Sequence, residues 1–286
     1  MADPGHVGVW ASWVRGADPD EAAVAAAELE ALGYDAIWFP AGEEGAWFPR
    51  ARAMLDATAR MVVATGIVNI WTNDADVTAA HDAALRDRHP DRFILGVGVG
   101  HAPFDRAYAR PFTAMRRFLD RLDAASPPVP QEGRVIAALW PRMLELALDR
   151  AAGSHTYLVT PEHTRRARAA LGPDQLLAAE LGVVLEADPE RAHELGRAFL
   201  TPYLALPNYT GGLRRLGFGD EDLAGGGSDR MLDALIARGE PDEIRARMWE
   251  HRAAGADHVA IQVIGTSRDA APRAAWRALA SALKRD

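Results

Sequence analysis

The chain has 286 residues, of which 49% are hydrophobic, and its formal net charge is −8. This length suits one (β/α)8 barrel or two smaller domains, and an acidic chain without a basic stripe is not expected to bind nucleic acid. The absence of cysteine excludes disulfides, thiol nucleophiles and thiolate metal sites.

Targeting and membrane segments are not recognisable. The first residues lack the basic and apolar runs of a secretory signal, and no stretch reaches the roughly 18 apolar residues of a membrane span. We therefore expect a cytoplasmic protein without a membrane partner.

Eight strand-like runs alternate with helical patterns along the chain. Several runs are almost continuously apolar, as in parallel strands that helices cover on both faces. Asp18, Thr160 and Asp188 each stand before a proline in a capped helix start. Eight such units predict an α/β fold of the TIM-barrel type. The predicted strands are His6–Trp13, Asp35–Pro40, Met61–Trp71, Arg92–His101, Arg134–Trp140, Thr156–Thr160, Gly182–Glu186 and His258–Gly265.

A doubly wound sheet is the weaker alternative, because the first turn after a strand, Trp10–Trp13, has no glycine-rich loop. We predict a single domain over residues 1–286. The seventh and eighth strands are widely separated, and we interpret residues 187–257 as an insertion that acts partly as a lid over the barrel mouth. An insertion that serves only oligomer contacts is an equal alternative.

Aromatic and polar side chains stand where the predicted strands end. In a (β/α)8 barrel these ends form the active-site face. Flat indole rings suit a flat conjugated ligand, although any one tryptophan is as easily a core residue. These side chains belong to Trp10, Trp13, Asn69, Trp71, His101 and Trp140.

His101 is the strongest single catalytic candidate. It ends the run Gly96–Gly100, whose alternating glycines leave one face of the strand without side chains, so that a bulky ring can lie against bare backbone. An imidazole next to that ring can deliver or remove a proton near neutral pH. A histidine satisfied by backbone groups is the alternative. The glycine run lacks the G-x-G-x-x-G spacing of a dinucleotide site.

Two segments are candidate phosphate sites. Leu139, Trp140, Pro141 and Arg142 form a strand end and a helix start with proline in its first turn, where free backbone N–H groups favour an anion. Gly153, Ser154 and His155 form a tight turn before the predicted sixth strand.

Hydrolytic and metal chemistry is disfavoured. The nine histidines include no H-x-H and no H-E-x-x-H, and the chain has no G-x-S-x-G elbow. The adjacent Glu43 and Glu44 lie in a glycine-rich loop and are interpreted as solvated.

Five segments together resemble the luciferase-like monooxygenase superfamily, and most closely its actinobacterial branch of deazaflavin-dependent oxidoreductases. The similarity extends over nearly the whole chain in barrel order. The segments are Gly33–Trp38, Val63–Trp71, Arg92–His101, Leu204–Tyr209 and Gly255–Gln262.

This resemblance implies a (β/α)8 barrel, often dimeric, with coenzyme F-420 (8-hydroxy-5-deazaflavin) or FMN across its mouth. It implies a non-proline cis peptide at Val68–Asn69, which costs about 3–4 kcal/mol and persists only where packing holds it. It places His101 where relatives carry a catalytic acid. Pro40 and Ala41 stand where sugar-phosphate enzymes carry an Asp-His pair, and their basic phosphate clamp is not recognisable, so that substrate is not indicated. The stretch after His101 looks shortened, which indicates either an opened pocket or lost activity.

The resulting hypothesis is an oxidoreductase that transfers a hydride between coenzyme F-420 and a small organic substrate, with His101 moving the proton. The alternatives are an FMN-dependent monooxygenase and a non-catalytic cofactor-binding protein. Trp13, Pro40 and Trp71 are expected to line the substrate pocket, and no metal is expected. The expected cofactor-binding residues are Val68, Asn69, Gly98, Gly100, Leu139, Trp140, Pro141, Arg142, Gly153, Ser154 and His155.

Overall fold

A computed structural model describes residues 2–101, 108–266 and 270–283. Eight parallel strands close into a barrel, because β8 pairs with β10 and β10 pairs with β1. This confirms the predicted TIM barrel. The barrel strands are β1 (Val7–Trp10), β2 (Ala36–Phe39), β3 (Val62–Thr65), β5 (Phe93–Gly98), β6 (Arg134–Ala137), β7 (Gly153–Thr156), β8 (Leu176–Val184) and β10 (His258–Val263); β4 (Val68–Asn69) adds to β5, and β9 (Ile236–Arg238) adds to β8.

Helices cover the outside of the barrel. In the described part of the chain, none of them is both long enough and apolar enough to cross a membrane. They are α1 (Pro19–Leu32), α2 (Trp47–Asp56), α3 (Ala75–Arg88), α4 (Pro111–Ala124), α5 (Pro141–Arg150), α6 (Pro161–Leu171), α7 (Pro189–Leu204), α8 (Pro207–Arg215), α9 (Asp220–Leu223), α10 (Asp229–Leu235), α11 (Pro241–Ala253) and α12 (Arg273–Leu283), with short 3-10 helices at Ser12–Arg15, Gln131–Gly133 and Ala224–Gly226.

The three predicted cap-then-proline helix starts are confirmed. The side chains of Asp18, Thr160 and Asp188 each accept a hydrogen bond from a backbone N–H in the first turn. Proline follows each cap, where its missing N–H is not needed. Gly33 ends α1 with φ 78°, the left-handed conformation that glycine adopts without steric penalty.

Two predicted strands are displaced. The sixth was expected at Thr156–Thr160, but β7 covers Gly153–Thr156; the seventh was expected from Gly182, but β8 begins at Leu176. The reason is the parallel register, in which Gly153–Thr156 pair with Leu176–Ala179. Beyond the ladder, Leu158 has φ 56°, which no strand residue adopts.

The predicted third strand is divided. Its run Met61–Trp71 forms β3 and the two-residue β4, and β4 pairs with Val97 and Gly98 of β5. The expected cis peptide at Val68–Asn69 is wrong, since among the described residues only Ser126–Pro127 is cis. An extended trans backbone is what lets β4 join the ladder.

The barrel interior is filled by aromatic rings. His155 on β7 is stacked between Trp10 and Trp38, with ring centroids 5.1 and 4.7 Å away. Trp38 Nε1 donates to His258 Nε2 over 3.0 Å, and His258 Nδ1 lies 3.1 Å from the Gly5 carbonyl oxygen. His258 thus donates through Nδ1 and accepts through Nε2, as a neutral imidazole does. Burial lowers the pKa of His155 to about 3 and that of His258 to about 4.

Replacing Gly96 by alanine tests how closely β3 and β5 approach. The Thr65 hydroxyl donates to the Gly96 carbonyl over 3.0 Å and accepts from the Gly96 N–H over 2.8 Å, and a Cβ on Gly96 would collide with the Thr65 carbonyl. We expect Gly96→Ala to lower the free energy of unfolding by about 1–3 kcal/mol, as overpacking does, in urea unfolding monitored by circular dichroism.

Gly211→Ala is the matched control. Gly211 lies inside α8, and no atom stands within 4 Å of an added Cβ. Alanine there should stabilise the chain by about 0.5–1 kcal/mol through its helix propensity. Equal stability of Gly96→Ala and the parent would show that the two strands do not approach as described.

The His155 stack predicts acid sensitivity. Because the folded pKa of His155 lies below the unfolded value of about 6.5, the unfolded chain binds more protons below that pH, and stability falls as pH decreases. Between pH 7.5 and 5 the loss from this residue should be about 2 kcal/mol. His155→Phe keeps a flat ring but cannot ionise, so its urea midpoint should fall less. Parallel pH profiles of the two proteins would contradict this.

Candidate active site

A cluster of aromatic side chains, the mouth cluster, stands at the carboxyl ends of the strands. It consists of Trp10, Tyr157, Tyr203, Tyr209 and His101. The Tyr157 ring centroid is 5.2 Å from that of Trp10, and the Tyr203 and Tyr209 centroids are 5.3 Å apart. The His101 ring lies 5.4 Å from the Tyr209 ring. Trp10 ends β1, whereas Tyr203 and Tyr209 come from α7 and α8, so these helices cover the mouth.

Hydroxyl groups join the cluster to the barrel wall. The Tyr157 hydroxyl donates to Gln262 Oε1 over 2.8 Å and lies 2.8 Å from the Tyr203 hydroxyl. Burial raises the pKa of Tyr157 well above 10, and the nearby Tyr203 and Glu180 raise it further. The Tyr157 phenol therefore stays protonated near neutral pH and acts through hydrogen bonds.

Glu180 is an acidic side chain inside the barrel. It lies on β8 opposite Ala260 of β10, and it is 1% exposed. Glu180 Oε2 accepts the Leu158 N–H over 2.9 Å, while Oε1 is buried without a hydrogen-bond partner. Burial raises the pKa of Glu180 to about 8, so the carboxyl is mostly neutral at pH 7.

His101 and Trp71 lie at the same end of the barrel. Trp71 Nε1 donates to the Val99 carbonyl over 2.7 Å, and Val99 is two residues before His101. Asn69 Oδ1 accepts the Trp71 N–H over 3.0 Å, and Pro40 follows β2 at the same face. The structure therefore brings these predicted site residues to one rim, and their roles stay predictions.

The bare glycine face expected on β5 is not present. A Cβ on Gly98 would lie 2.5 Å from Ile67 Cγ2 and 3.3 Å from Ala137 Cβ, and Gly96 is packed against the Thr65 carbonyl. These glycines bring neighbouring strands together and leave no ledge for a ring. Gly100, with φ 56°, turns the chain toward His101.

Gly153, Ser154 and His155 do not form the expected phosphate turn. They are strand residues of β7, with Gly153 at its amino end, and all three are buried. Ser154 Oγ donates to the Ala138 carbonyl over 3.2 Å, and His155 lies in the ring stack. They are displaced from the mouth because β7 begins three residues earlier than predicted.

Trp13 does not line the mouth. It lies in the 3-10 helix after β1, it is 4% exposed, and its ring centroid is 6.4 Å from that of Trp276 on α12. It belongs to the outer core between helices. The alternative that one of the tryptophans is a core residue therefore holds for Trp13.

The strand predicted to run to Trp140 ends at Ala137, so Leu139 and Trp140 lie in the connection to α5, which begins at Pro141 and Arg142 as predicted. Trp140 is the residue before the helix, Pro141 occupies the first turn, and no side chain caps the helix start. The Leu139 carbonyl lies 2.6 Å from His163 Nε2, and the Arg142 guanidinium stands 4.4 Å from the Phe112 ring centroid. Binding of a phosphate there stays a prediction.

A narrow crevice separates Trp140 from α8. It leaves only about 10 Å³ of internal space, room for about one water molecule, and is bordered by Trp140, His163, Tyr209 and Gly212, among others. A Cβ on Gly212 would lie within 2.3 Å of the indole, so α8 rests directly on Trp140, and Trp140 Nε1 is buried without a partner. The Arg215 guanidinium stands 5.0 Å from the indole centroid.

Glu180, Tyr157, Tyr203, Gln262 and Arg215 were not predicted as site residues. Glu180 carries the clearest sequence signal, because it is the single charged residue in the apolar run Leu176–Val184. A charged side chain in a buried strand needs a reason, and function is a common one. Glu180 falls outside the predicted strand, because that strand began at Gly182 and β8 begins at Leu176.

The mouth suits a planar ligand with polar edges. It offers aromatic faces, an unpartnered carboxyl oxygen and an unpartnered indole N–H, and the uncapped start of α5 is nearby. Small-molecule pockets usually measure about 300–1,000 Å³, more than the crevice at Trp140, so a tricyclic ring requires α8 or side chains to move. Among the described residues, no group of three or more His, Asp or Glu is arranged to hold a metal ion.

Comparison with known proteins gives a family match and a fold match. Residues 4–124 match the luciferase-like monooxygenase family. No curated protein sequence matches the chain. Solved structures under 20% identical cover almost the whole chain, so they show the fold alone.

Three of these structures illustrate the range. An F-420-dependent secondary alcohol dehydrogenase in complex with an F-420–acetone adduct is 14% identical, with 98% of this chain and 99% of that chain covered and a TM-score of 0.74. The F-420-dependent tetrahydromethanopterin reductase from Methanopyrus kandleri is 17% identical, with 98% of each chain covered and a TM-score of 0.74. The oxygenating component of 3,6-diketocamphane monooxygenase from Pseudomonas putida, in complex with FMN, is 13% identical, with 98% and 97% covered and a TM-score of 0.72.

These findings confirm the resemblance to the luciferase-like superfamily, whereas the deazaflavin-dependent branch stays a prediction. The chain is a (β/α)8 barrel whose residues 4–124 match the luciferase-like monooxygenase family, and it shares its fold with F-420-dependent and FMN-dependent enzymes.

Proposed function

We propose that the chain is an oxidoreductase that binds coenzyme F-420 at the barrel mouth and exchanges a hydride with a small organic substrate. The observation that carries this proposal is the mouth cluster, in which aromatic faces and an imidazole lie at one rim, with the buried carboxyl of Glu180 beside Leu158 inside the barrel. When bound, a deazaflavin supplies two-electron hydride transfer and does not activate oxygen as a flavin does.

The residues at the mouth have two further roles, water exclusion and proton transfer. Trp10 and Trp71 present flat apolar faces and exclude water from the reacting atoms. His101 moves the proton at the substrate oxygen, because an imidazole titrates near neutral pH and this one stands beside Tyr209 at the rim. A cavity walled by aromatic rings favours an apolar or planar substrate.

The phosphate-bearing tail of the cofactor fits the start of α5. Arg142 and Pro141 stand in its first turn, no side chain caps it, and Arg215 approaches Trp140 from α8. Uncapped N–H groups and the helix dipole attract anions, and the arginines add positive charge.

The part of residues 187–257 that supports a lid is α8. Gly212 packs on Trp140 and Tyr209 contacts His101, so this helix covers both the crevice and the rim. Ring entry requires α8 to move away. We further propose a cytoplasmic homodimer acting on a small molecule.

Titration of the purified protein with F-420 and with FMN tests the cofactor. We expect F-420 to quench tryptophan fluorescence with a micromolar Kd, because Trp10 and Trp71 lie at the mouth, and we expect FMN to bind at least about tenfold more weakly, a difference of about 1.4 kcal/mol. Tight binding of FMN alone would replace the proposal by the monooxygenase alternative, and binding of neither would reject both.

His101→Gln tests the catalytic role. With a panel of aldehydes, ketones and secondary alcohols, turnover of F-420 measured by absorbance should fall about 10²–10⁴-fold, as loss of a general acid–base group does. The Kd for F-420 should stay within about threefold. His6→Gln, at an exposed histidine before β1, is the control and should leave both unchanged. F-420 binding without turnover by the parent protein would support the non-catalytic alternative.

A further inference from the structure

Glu180 is unlike the other acidic residues described in the structure. The other buried or half-buried carboxyls Asp82, Asp222 and Glu28 each form a salt bridge with an arginine, whereas within the described part of the chain no basic side chain forms one with Glu180. Burying a carboxyl without a cation is unfavourable unless the group is neutral. A fold that keeps such a residue is expected to use it.

The strand geometry aims Glu180 into the mouth. Side chains alternate along a strand, so Glu180 points to the same side as Ala178 and Gly182. Ala178 belongs to the apolar cluster inside the barrel, together with Ala260 on the neighbouring strand. One step further up, Gly182 has no side chain, and a Cβ there would stand 3.7 Å from Glu180 Oε1. The carboxyl thus lies at the top of the filled interior.

One carboxyl oxygen is held by the backbone. Glu180 Oε2 accepts the Leu158 N–H over 2.9 Å, and Leu158 adopts φ 56°, an unfavourable conformation for a leucine. A protonated carboxyl that accepts through Oε2 carries its proton on Oε1. The backbone therefore selects which oxygen is the hydroxyl.

The other oxygen has no acceptor within the protein. Oε1 is buried and unpartnered, and the neighbouring phenols are engaged elsewhere, since Tyr157 donates to Gln262 and lies against the Tyr203 hydroxyl. Tyr209 completes the apolar surroundings. Its pKa is raised, mainly by burial and further by the nearby Tyr203 and Glu180. The titratable groups around Glu180 are these three tyrosines, with His155 on β7 below and His101 beyond Tyr209.

We propose that Glu180 is a neutral carboxylic acid whose Oε1–H donates a hydrogen bond to a carbonyl oxygen of the bound ligand. This inference rests on the proposed function. On a substrate carbonyl, such a donor draws electron density toward the oxygen and favours hydride addition at the carbonyl carbon; on a carbonyl of the cofactor ring, it holds the ring in place. The carbonyl belongs either to the substrate or to the pyrimidine part of the cofactor ring. Glu180 binds and polarises, whereas the proton transfer assigned to His101 is separate.

Two variants separate hydrogen bonding from volume. Glu180→Gln keeps the shape, with its carbonyl toward Leu158 N–H and its amide N–H in the place of Oε1–H. Glu180→Leu keeps apolar volume and removes the donor. Both remove the carboxyl, and the leucine variant should fold because an apolar side chain suits the buried position, which circular dichroism and urea unfolding verify.

The first measurement needs no cofactor. Infrared difference spectra between the parent and Glu180→Gln at pH 7 should show the C=O band of a protonated carboxylic acid in the parent alone. A carboxylate band in its place would overturn the inference, whatever the protein binds.

The second measurement uses two carbonyl probes. F-420 is titrated by fluorescence, and cyclohexanone labelled with ¹³C at its carbonyl carbon is added to the F-420-loaded protein and to the cofactor-free protein. Loss of one hydrogen bond should weaken binding of the affected probe about 10–100-fold in Glu180→Leu and less than about threefold in Glu180→Gln. Weakened F-420 binding assigns the carbonyl to the cofactor; weakened cyclohexanone binding, with its infrared band shifted upward, assigns it to the substrate.

The outcomes keep the two proposals apart. Equal binding of both probes to all three proteins overturns the role of Glu180 and leaves the proposed function standing. Failure of the parent to bind F-420 rejects the proposed function, and the cyclohexanone titration of the cofactor-free protein then decides the Glu180 proposal. In that titration a loss confined to Glu180→Leu supports it, and equal or absent binding overturns it.

Discussion

The stacking of His155 between Trp10 and Trp38 determines where a ligand can bind. Three flat rings and the hydrogen-bonded His258 fill the barrel interior, so no ligand can enter from within. The same stack forms the floor of the mouth, because Trp10 is stacked on His155 and also contacts Tyr157 of the mouth cluster. A ligand is thereby confined to the end of the barrel that α7 and α8 cover.

The order of strands and helices could be predicted from the sequence, and the strand ends could not. Apolar runs and cap-then-proline signals mark β1 and α1 clearly. The bounds of β7 and β8 depend on which residues pair across the barrel, and pairing is not encoded in either run alone. The missed start of β8 concealed Glu180, and the missed start of β7 placed His155 at the mouth instead of the interior.

The glycine run before His101 shows the same limit in the candidate site. Alternating glycines mean that something approaches the strand closely, and the sequence does not say what. Here the neighbour is the chain itself, as Thr65 and Ile67 occupy the places where Cβ atoms would stand. His101, Trp71 and Trp140 were found from their positions at strand ends, because barrel topology alone brings such ends together. Tyr203 and Tyr209 come from helices that no strand pattern positions.

The polar groups of the mouth are uncharged because little water reaches them. A carboxylate at Glu180 would need a cation or several donors, and the structure supplies one backbone N–H, given by a leucine in a left-handed conformation. One donor stabilises a neutral acid and is too little for a charged one. The floor of the site is therefore uncharged at neutral pH. His155 and His258 are kept neutral by burial, Tyr157 and Tyr209 by their raised pKa and Glu180 by its proton. A reaction that moves a hydride creates charge on the substrate oxygen, and in an uncharged, dry pocket a single well-placed donor has its largest effect on that charge.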